Sequence, residues 1–293
     1  MALLLPIFAF LCGLGLASTS YAGALKSLFA MLLARCFIPV VIIYNMVFYQ
    51  AGSLTLMVFS FTVAIILFYF FVKISKDQLQ ALCFSYVNMA WLGFPFAIAL
   101  FGPEISAAMV ALYIGGSIFG NVWAVNAVSS TAQPLNDIIK KVMQSPPMIA
   151  LSLALLLRII GIQNLQQHEW LDLIYSCAKF GMSFSGMCVL GLWLRHTKVY
   201  LQDIQSSIKI AALKLLCGLI LCSLTYQWLP IPHIEQYIGV MFLLFCLPPA
   251  ANIVALETHY QGTSVSAKYI ASGTIVSCMV IAIYAVVLHL LNL

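Results

Sequence analysis

Two stretches of this 293-residue chain set amide side chains beside prolines inside otherwise apolar sequence. The first reads Tyr86-Val-Asn88-Met-Ala-Trp-Leu-Gly93-Phe-Pro95, and the second reads Cys246-Leu-Pro248-Pro249-Ala-Ala-Asn252. Proline removes a backbone donor and clashes with the preceding turn, so a helix breaks or kinks there. Where no water reaches, the freed amides and carbonyls need other partners, and they become ligands for whatever solute can supply them. Asparagine adds both donors and an acceptor without fixed charge. The chemistry on offer is recognition, and an anion suits it: a helix that starts at such a break presents unpaired amides and the positive end of its dipole.

Charges in apolar sequence are candidates too, because a Lys at the centre of a span costs about 2.5–3.5 kcal/mol on insertion scales. Lys179 lies deep in an apolar run and is expected to serve as counter-charge to a substrate or a partner. Arg158 lies near the end of its run, where it can snorkel. Glu257 is the one carboxylate placed within an apolar run, with coupling to protons as its candidate role and pairing with nearby His259 or Lys268 as the plainer one. Covalent chemistry has little support. Ser117 or Ser183 with His289 could be imagined as nucleophile and base, but GxSxG, HExxH and paired intramembrane Asp are all missing. The nine cysteines all fall in apolar stretches without metal-ligand spacing, so no metal or other cofactor is expected.

The elements that hold these residues follow from composition. The chain is 63% apolar and 7% charged, far from the quarter or so that is charged in soluble domains, so the surplus must face lipid. A span needs about 20 apolar residues. That ruler gives ten: 2–18, 27–48, 54–72, 79–101, 105–128, 147–163, 170–194, 207–228, 236–258 and 266–291. The runs are continuous rather than alternating, which selects helices over a barrel. The first lacks a basic start and is expected to stay rather than be cleaved. Loops after odd-numbered spans hold or adjoin Lys26, Lys73, Lys76, Lys140, Lys141, Arg195, Lys198, Lys209 and Lys268, whereas those after even-numbered spans have neither Lys nor Arg. Basic loops face the cytoplasm, so both termini are expected outside. No basic run exceeds Lys140-Lys141, which argues against nucleic acid as a partner.

A polar interval at 129–146 divides the chain into 1–128 and 147–293, five spans each, which must enter the membrane in opposite directions. Gly102-Pro-Glu-Ile-Ser-Ala-Ala-Met-Val-Ala111 and Gly262-Thr-Ser-Val-Ser-Ala-Lys-Tyr-Ile-Ala271 are weakly alike, each at the turn into the last span of its half. Breaks at corresponding places in two inverted halves point to a transporter site.

Asn88-x4-Gly93-x-Pro95 with Leu100-Phe-Gly102 resembles the fourth span of the auxin efflux carrier family. Ser145-Pro-Pro-Met-Ile-Ala150 with Ile160-Gly-Ile162 resembles the start of that family's second half, and Leu247-Pro248 through Asn252, Tyr260 and Gly262 resemble its ninth span. The resemblance implies a bile-acid/sodium symporter-like fold: all-α, two inverted five-helix repeats, with spans four and nine broken and crossing at a central site. It also implies Asn88, Gly93, Pro95, Pro249 and Asn252 at that site, and a permease for malate, malonate or related carboxylates in a bacterial inner membrane. Span seven departs from the pattern, since Lys179-Phe-Gly-Met-Ser-Phe-Ser-Gly186 lacks the proline often found there.

The expectation is therefore a non-enzymatic secondary carrier of a small organic anion, with a proton or sodium as coupling ion and a homodimer open to it. An intramembrane enzyme and a membrane sensor are the rival readings. The sensor lacks an output domain, and the absence of a P-loop leaves gradients as the driving force.

Overall fold

The computed structural model describes residues 4–48, 52–129, 134–162, 169–195, 197–229, 231–263 and 265–290. Among them the chain is all helix apart from turns and one isolated bridge. The helices are α1 (Leu4–Leu16), α2 (Ala22–Val47), α3 (Ser53–Ser75), α4 (Gln78–Ser85), α5 (Met89–Phe101), α6 (Ser106–Val128) and α7 (Leu135–Met143). The second part continues with α8 (Pro146–Ile159), α9 (Glu169–Leu194), α10 (Leu201–Trp228), α11 (Ile234–Cys246), α12 (Asn252–Gln261) and α13 (Val265–Leu290).

Six of these are long and apolar enough to cross a membrane: Ala22–Val47, Ser53–Ser75, Pro103–Val128, Glu169–Leu194, Leu201–Trp228 and Val265–Leu290. Four shorter apolar helices accompany them, at Leu5–Leu16, Met89–Phe101, Pro146–Ile159 and Ile234–Cys246. Their outer faces carry large exposed apolar side chains such as Leu219, Ile220, Met279 and Ile283. These features fit an all-α, multi-pass membrane protein. The polar interval folds locally as α7, a short amphipathic helix with Asp137 in its first turn and Lys140 and Lys141 in its last, as the helix dipole favours.

The helices pack in pairs that echo one another across the two parts of the chain. α1 lies on α9, and α8 lies on α2. α3 packs on α4 and on α6, while α10 packs on α11 and on α13. α13 also touches α4, and α6 touches α11. The turns that end α5 and α12 are alike in demanding positive φ, at Gly102 (φ 87°) and Gly262 (φ 68°), which an L-side chain resists.

Proline shapes two helices without breaking them. Pro39 in α2 follows a π-helical turn at Leu33–Phe37, and Pro95 in α5 follows another at Met89–Gly93. A π turn widens the ladder, so the carbonyl a proline cannot pair with is displaced rather than crushed.

Candidate functional site

Between α4 and α5 the backbone is unwound at Tyr86–Asn88, and between α11 and α12 at Leu247–Ala251. These two segments lie antiparallel, with Val87 opposite Pro249. The Asn88 amide donates to the Pro248 carbonyl (2.9 Å), and the Ala250 amide donates to the Tyr86 carbonyl (2.9 Å). Proline suits the Pro248–Pro249 strand because neither of its residues is asked to donate. An unpaired buried amide or carbonyl costs about 1–3 kcal/mol, so each unwound segment is satisfied by the other.

The first helical turn after each break is held differently. Asn88 Oδ1 accepts from the Trp91 amide (3.1 Å), as an N-cap side chain does. Asn252 is the first residue of α12, and its Nδ2 donates to the Tyr86 hydroxyl (3.2 Å). The Tyr86 ring thus joins the first break to the second by a side chain as well as by the backbone.

A cavity of about 320 Å³ opens beside this bridge. Tyr86, Asn88, Trp91, Tyr113, Ser117 and Asn252 give it polar and aromatic walls, and Ala30, Ala34 and Ile38 of α2 close it with small apolar groups. Asn88 is 4% exposed, and its Nδ2 has no hydrogen-bond partner among the described residues. Its Oδ1 is committed to the cap, so Nδ2 is a buried donor at the cavity wall. A larger groove, about 650 Å³, lies along α10, α11 and α13, but its walls are nearly all apolar and include Leu219 and Ile283, so it suits lipid chains.

The structure brings together only some of the residues singled out by type and spacing. Asn88 and Asn252 line the cavity. Pro249 lies in the bridge and faces a separate small cavity on its other side. Gly93 and Pro95 are buried behind the site, where a Cβ on Gly93 would stand 2.7 Å from Met109 Cε and 3.0 Å from Leu247 Cδ1. They place α5 and do not line the cavity. Of the imagined nucleophile–base pairs, only Ser117 lines it.

Lys179 is elsewhere. Its ammonium sits 4.3 Å from the centre of the Tyr175 ring, which stacks on Tyr44 at 3.9 Å. Tyr175 also meets Asn45 (3.1 Å), and Tyr44 donates to Asp172 (2.5 Å). This is a polar cluster between α2 and α9, and a cation–π contact is how α9 accommodates the charge. Arg158 donates to the Val47 carbonyl (3.4 Å) at the end of α2.

Glu257 is fully buried, and its carboxylate is the N-terminal clasp of α13. It accepts from Thr263 Oγ1 (2.6 Å), the Val265 amide (2.6 Å), the Ser266 amide (2.8 Å) and the Ser266 hydroxyl. The contacts expected with His259 or Lys268 give way to these because a helix start offers several amides and the positive dipole end at once.

Lys214 and Arg35 escaped the sequence reading. Lys214 of α10 is 4% exposed and donates to the Leu247 carbonyl (2.8 Å) at the second break. Arg35 is exposed in the π turn of α2, next to Ala34 of the cavity wall. Both carry the signal used for Lys179, a charge deep within an apolar run.

Compared with known proteins, the chain matches no family model and no curated sequence, so the geometry of the two joined breaks is what speaks for its function.

Proposed function

We propose that the chain is a secondary transporter that carries a small organic anion such as a carboxylate across an inner membrane by alternating access. One observation carries this reading: the buried Asn88 side-chain Nδ2, with no hydrogen-bond partner among the described residues, at the wall of a cavity formed where two interrupted helices meet. A carboxylate oxygen is the natural acceptor for it, and Asn252, Ser117 and Tyr113 line the same cavity for the rest of a small polar solute.

The finer architecture belongs to the same proposal. The echoing contacts of α1 with α9 and α8 with α2, and of α3 with α6 and α10 with α13, support two five-span repeats of opposite direction. On this reading α4–α5 and α11–α12 are the broken fourth and ninth spans, and residues 129–146 are a cytoplasmic linker. Both termini then lie outside, as the distribution of Lys and Arg favours. The sequence likeness to the auxin efflux carrier family points to the same arrangement. Lys179 and Glu257 have other duties in the structure, on the Tyr175 ring and at the start of α13, so the reading assigns the solute to Asn88 and Asn252. No catalysis is assigned.

The test uses the full-length protein, purified and reconstituted in liposomes, with malate and malonate as probes and choline as a cationic control. A hydrogen bond from a neutral donor to a charged acceptor contributes about 1.5–3 kcal/mol. Asn88→Ala is therefore expected to weaken malate binding by roughly 10- to 100-fold. Unchanged affinity, or a wild-type preference for choline, would sink the proposal.

A further inference from the structure

A buried lysine needs a reason. The Lys214 side chain is 4% exposed, on an apolar helix, and its ammonium makes no ion pair among the described residues. Leaving a charge in hydrocarbon is costly, and a simple packing role would be filled better by Met or Leu. What the ammonium does touch is the Leu247 carbonyl, one residue past the end of α11. The last carbonyls of a helix lack intrahelical partners and carry the negative end of the dipole. In broken-helix carriers, such half-helix ends and unwound carbonyls are where a coupling cation binds.

The position also ties the charge to the cavity with Asn88. The carbonyl next along the chain, that of Pro248, accepts from the Asn88 amide. Lys214 therefore grips the bridge from behind while Asn88 faces the cavity in front. A small cavity of about 50 Å³ adjoins the ammonium, bounded by Ser207, Pro248, Pro249, Tyr269 and Ser277. The titratable side chains that share it are Cys83 of α4, Cys246 of α11 and Tyr269 of α13, and none is a carboxylate. The positive charge is thus not consumed by an acid.

We propose that Lys214 is a tethered cation, held on the Leu247 carbonyl where a mobile coupling ion would otherwise bind, and that its ammonium supplies positive charge behind the anion site. The proposal rests on the transport reading for its purpose, but its cation site is tested independently of any solute. It explains how two breaks with no acid between them among the described residues attract an anion.

Thermal unfolding of the full-length protein in detergent is measured in sodium, ammonium and choline chloride at equal ionic strength. Wild type is expected to unfold at the same temperature in all three. Lys214→Ala removes the tether but leaves the carbonyl and room for a small cation. It is expected to unfold several degrees higher in ammonium or sodium than in choline, and Lys214→Met, which refills the space, is expected to show no such difference. A folded Lys214→Ala that responds alike to all three salts would overturn the proposal. So would failure of Lys214→Ala to fold in any salt while Lys214→Met folds as wild type, because volume rather than charge would then be what the site needs. A salt-dependent Lys214→Ala in a protein that moves neither malate nor malonate keeps the tethered cation and removes the carboxylate reading.

Discussion

Gly120 of α6 is where the site is most sensitive to a single methyl group. A Cβ built there would lie 2.3 Å from Tyr86 Cζ, 2.5 Å from Cε2 and 2.7 Å from the hydroxyl oxygen. Ordinary contact begins at 3.4 Å, so Gly120→Ala must push the Tyr86 ring by about 3.4 − 2.3 = 1.1 Å. The hydroxyl accepts from Asn252 at 3.2 Å, and a shift of that size away from α6 carries the pair beyond the roughly 3.5 Å reach of a hydrogen bond. Overpacking costs about 1–3 kcal/mol, and the lost hydrogen bond adds about 1 kcal/mol. The second figure bears on the site itself, and predicts a loss of malate affinity of about fivefold by calorimetry, together with lower thermal stability. A double-mutant cycle isolates the cause. In a Tyr86→Ala background the ring is gone, so adding Gly120→Ala should change neither stability nor affinity, and the coupling should equal the whole effect of the single change. If Gly120→Ala is as damaging with Tyr86 removed, or leaves malate binding intact when alone, the chain of contact from α6 through Tyr86 to Asn252 is refuted.

Glu257→Gln removes the charge and turns one acceptor into a donor that faces other donors. It is expected to cost about 2–3 kcal/mol, seen as early unfolding in detergent; equal stability would show that α13 does not need its clasp. Pro249→Ala adds an amide donor to a strand that has no acceptor set aside for it, so uptake of malate into liposomes should fall while protein abundance holds; normal uptake would make the proline incidental. A fluorescent protein that matures only in the cytoplasm, fused to the C-terminus, should stay dark, and a bright fusion would reverse the proposed orientation.

The helices were legible because length and hydropathy are local properties. Six of the ten apolar runs read from sequence are helices long and apolar enough to cross a membrane, and the other four hold shorter apolar helices. The second break was legible for the same reason, since Pro248 and Pro249 sit within it. The first was placed a turn or two too far along. Pro95 suggested an interruption beside itself, yet the π turn at Met89–Gly93 absorbs it, and the unwound residues are Tyr86–Asn88. Nothing local in Tyr86-Val87-Asn88 forbids helix. The partner strand at 248–250 captures it, and a pairing between residues so far apart leaves no mark within one window. Asn88 and Asn252 stand out because a polar amide is conspicuous in apolar sequence, and both line the cavity beside the bridge. Lys179 stood out equally and lies elsewhere, since which face of α9 meets the site is set by packing. Glu257 looked like a lone acid, and only the fold turns the start of α13 towards it.

The bridge between the breaks has a consequence for biosynthesis. The Asn88 amide pairs with the carbonyl of Pro248, which the ribosome adds 248 − 88 = 160 residues later. At about 5–20 residues per second that interval is roughly 8–32 s. During it, an unwound Tyr86–Asn88 would hold bare amides and carbonyls in hydrocarbon, a costly state that nascent chain avoids. The segment is therefore expected to wait as continuous helix and to unwind only when α11 and α12 arrive, so that circular dichroism of a chain truncated after residue 233 should show no loss of helix at 86–88. Completion of the pocket has to await α11 and α12, and quality control that senses exposed polar backbone in the bilayer would read its success directly.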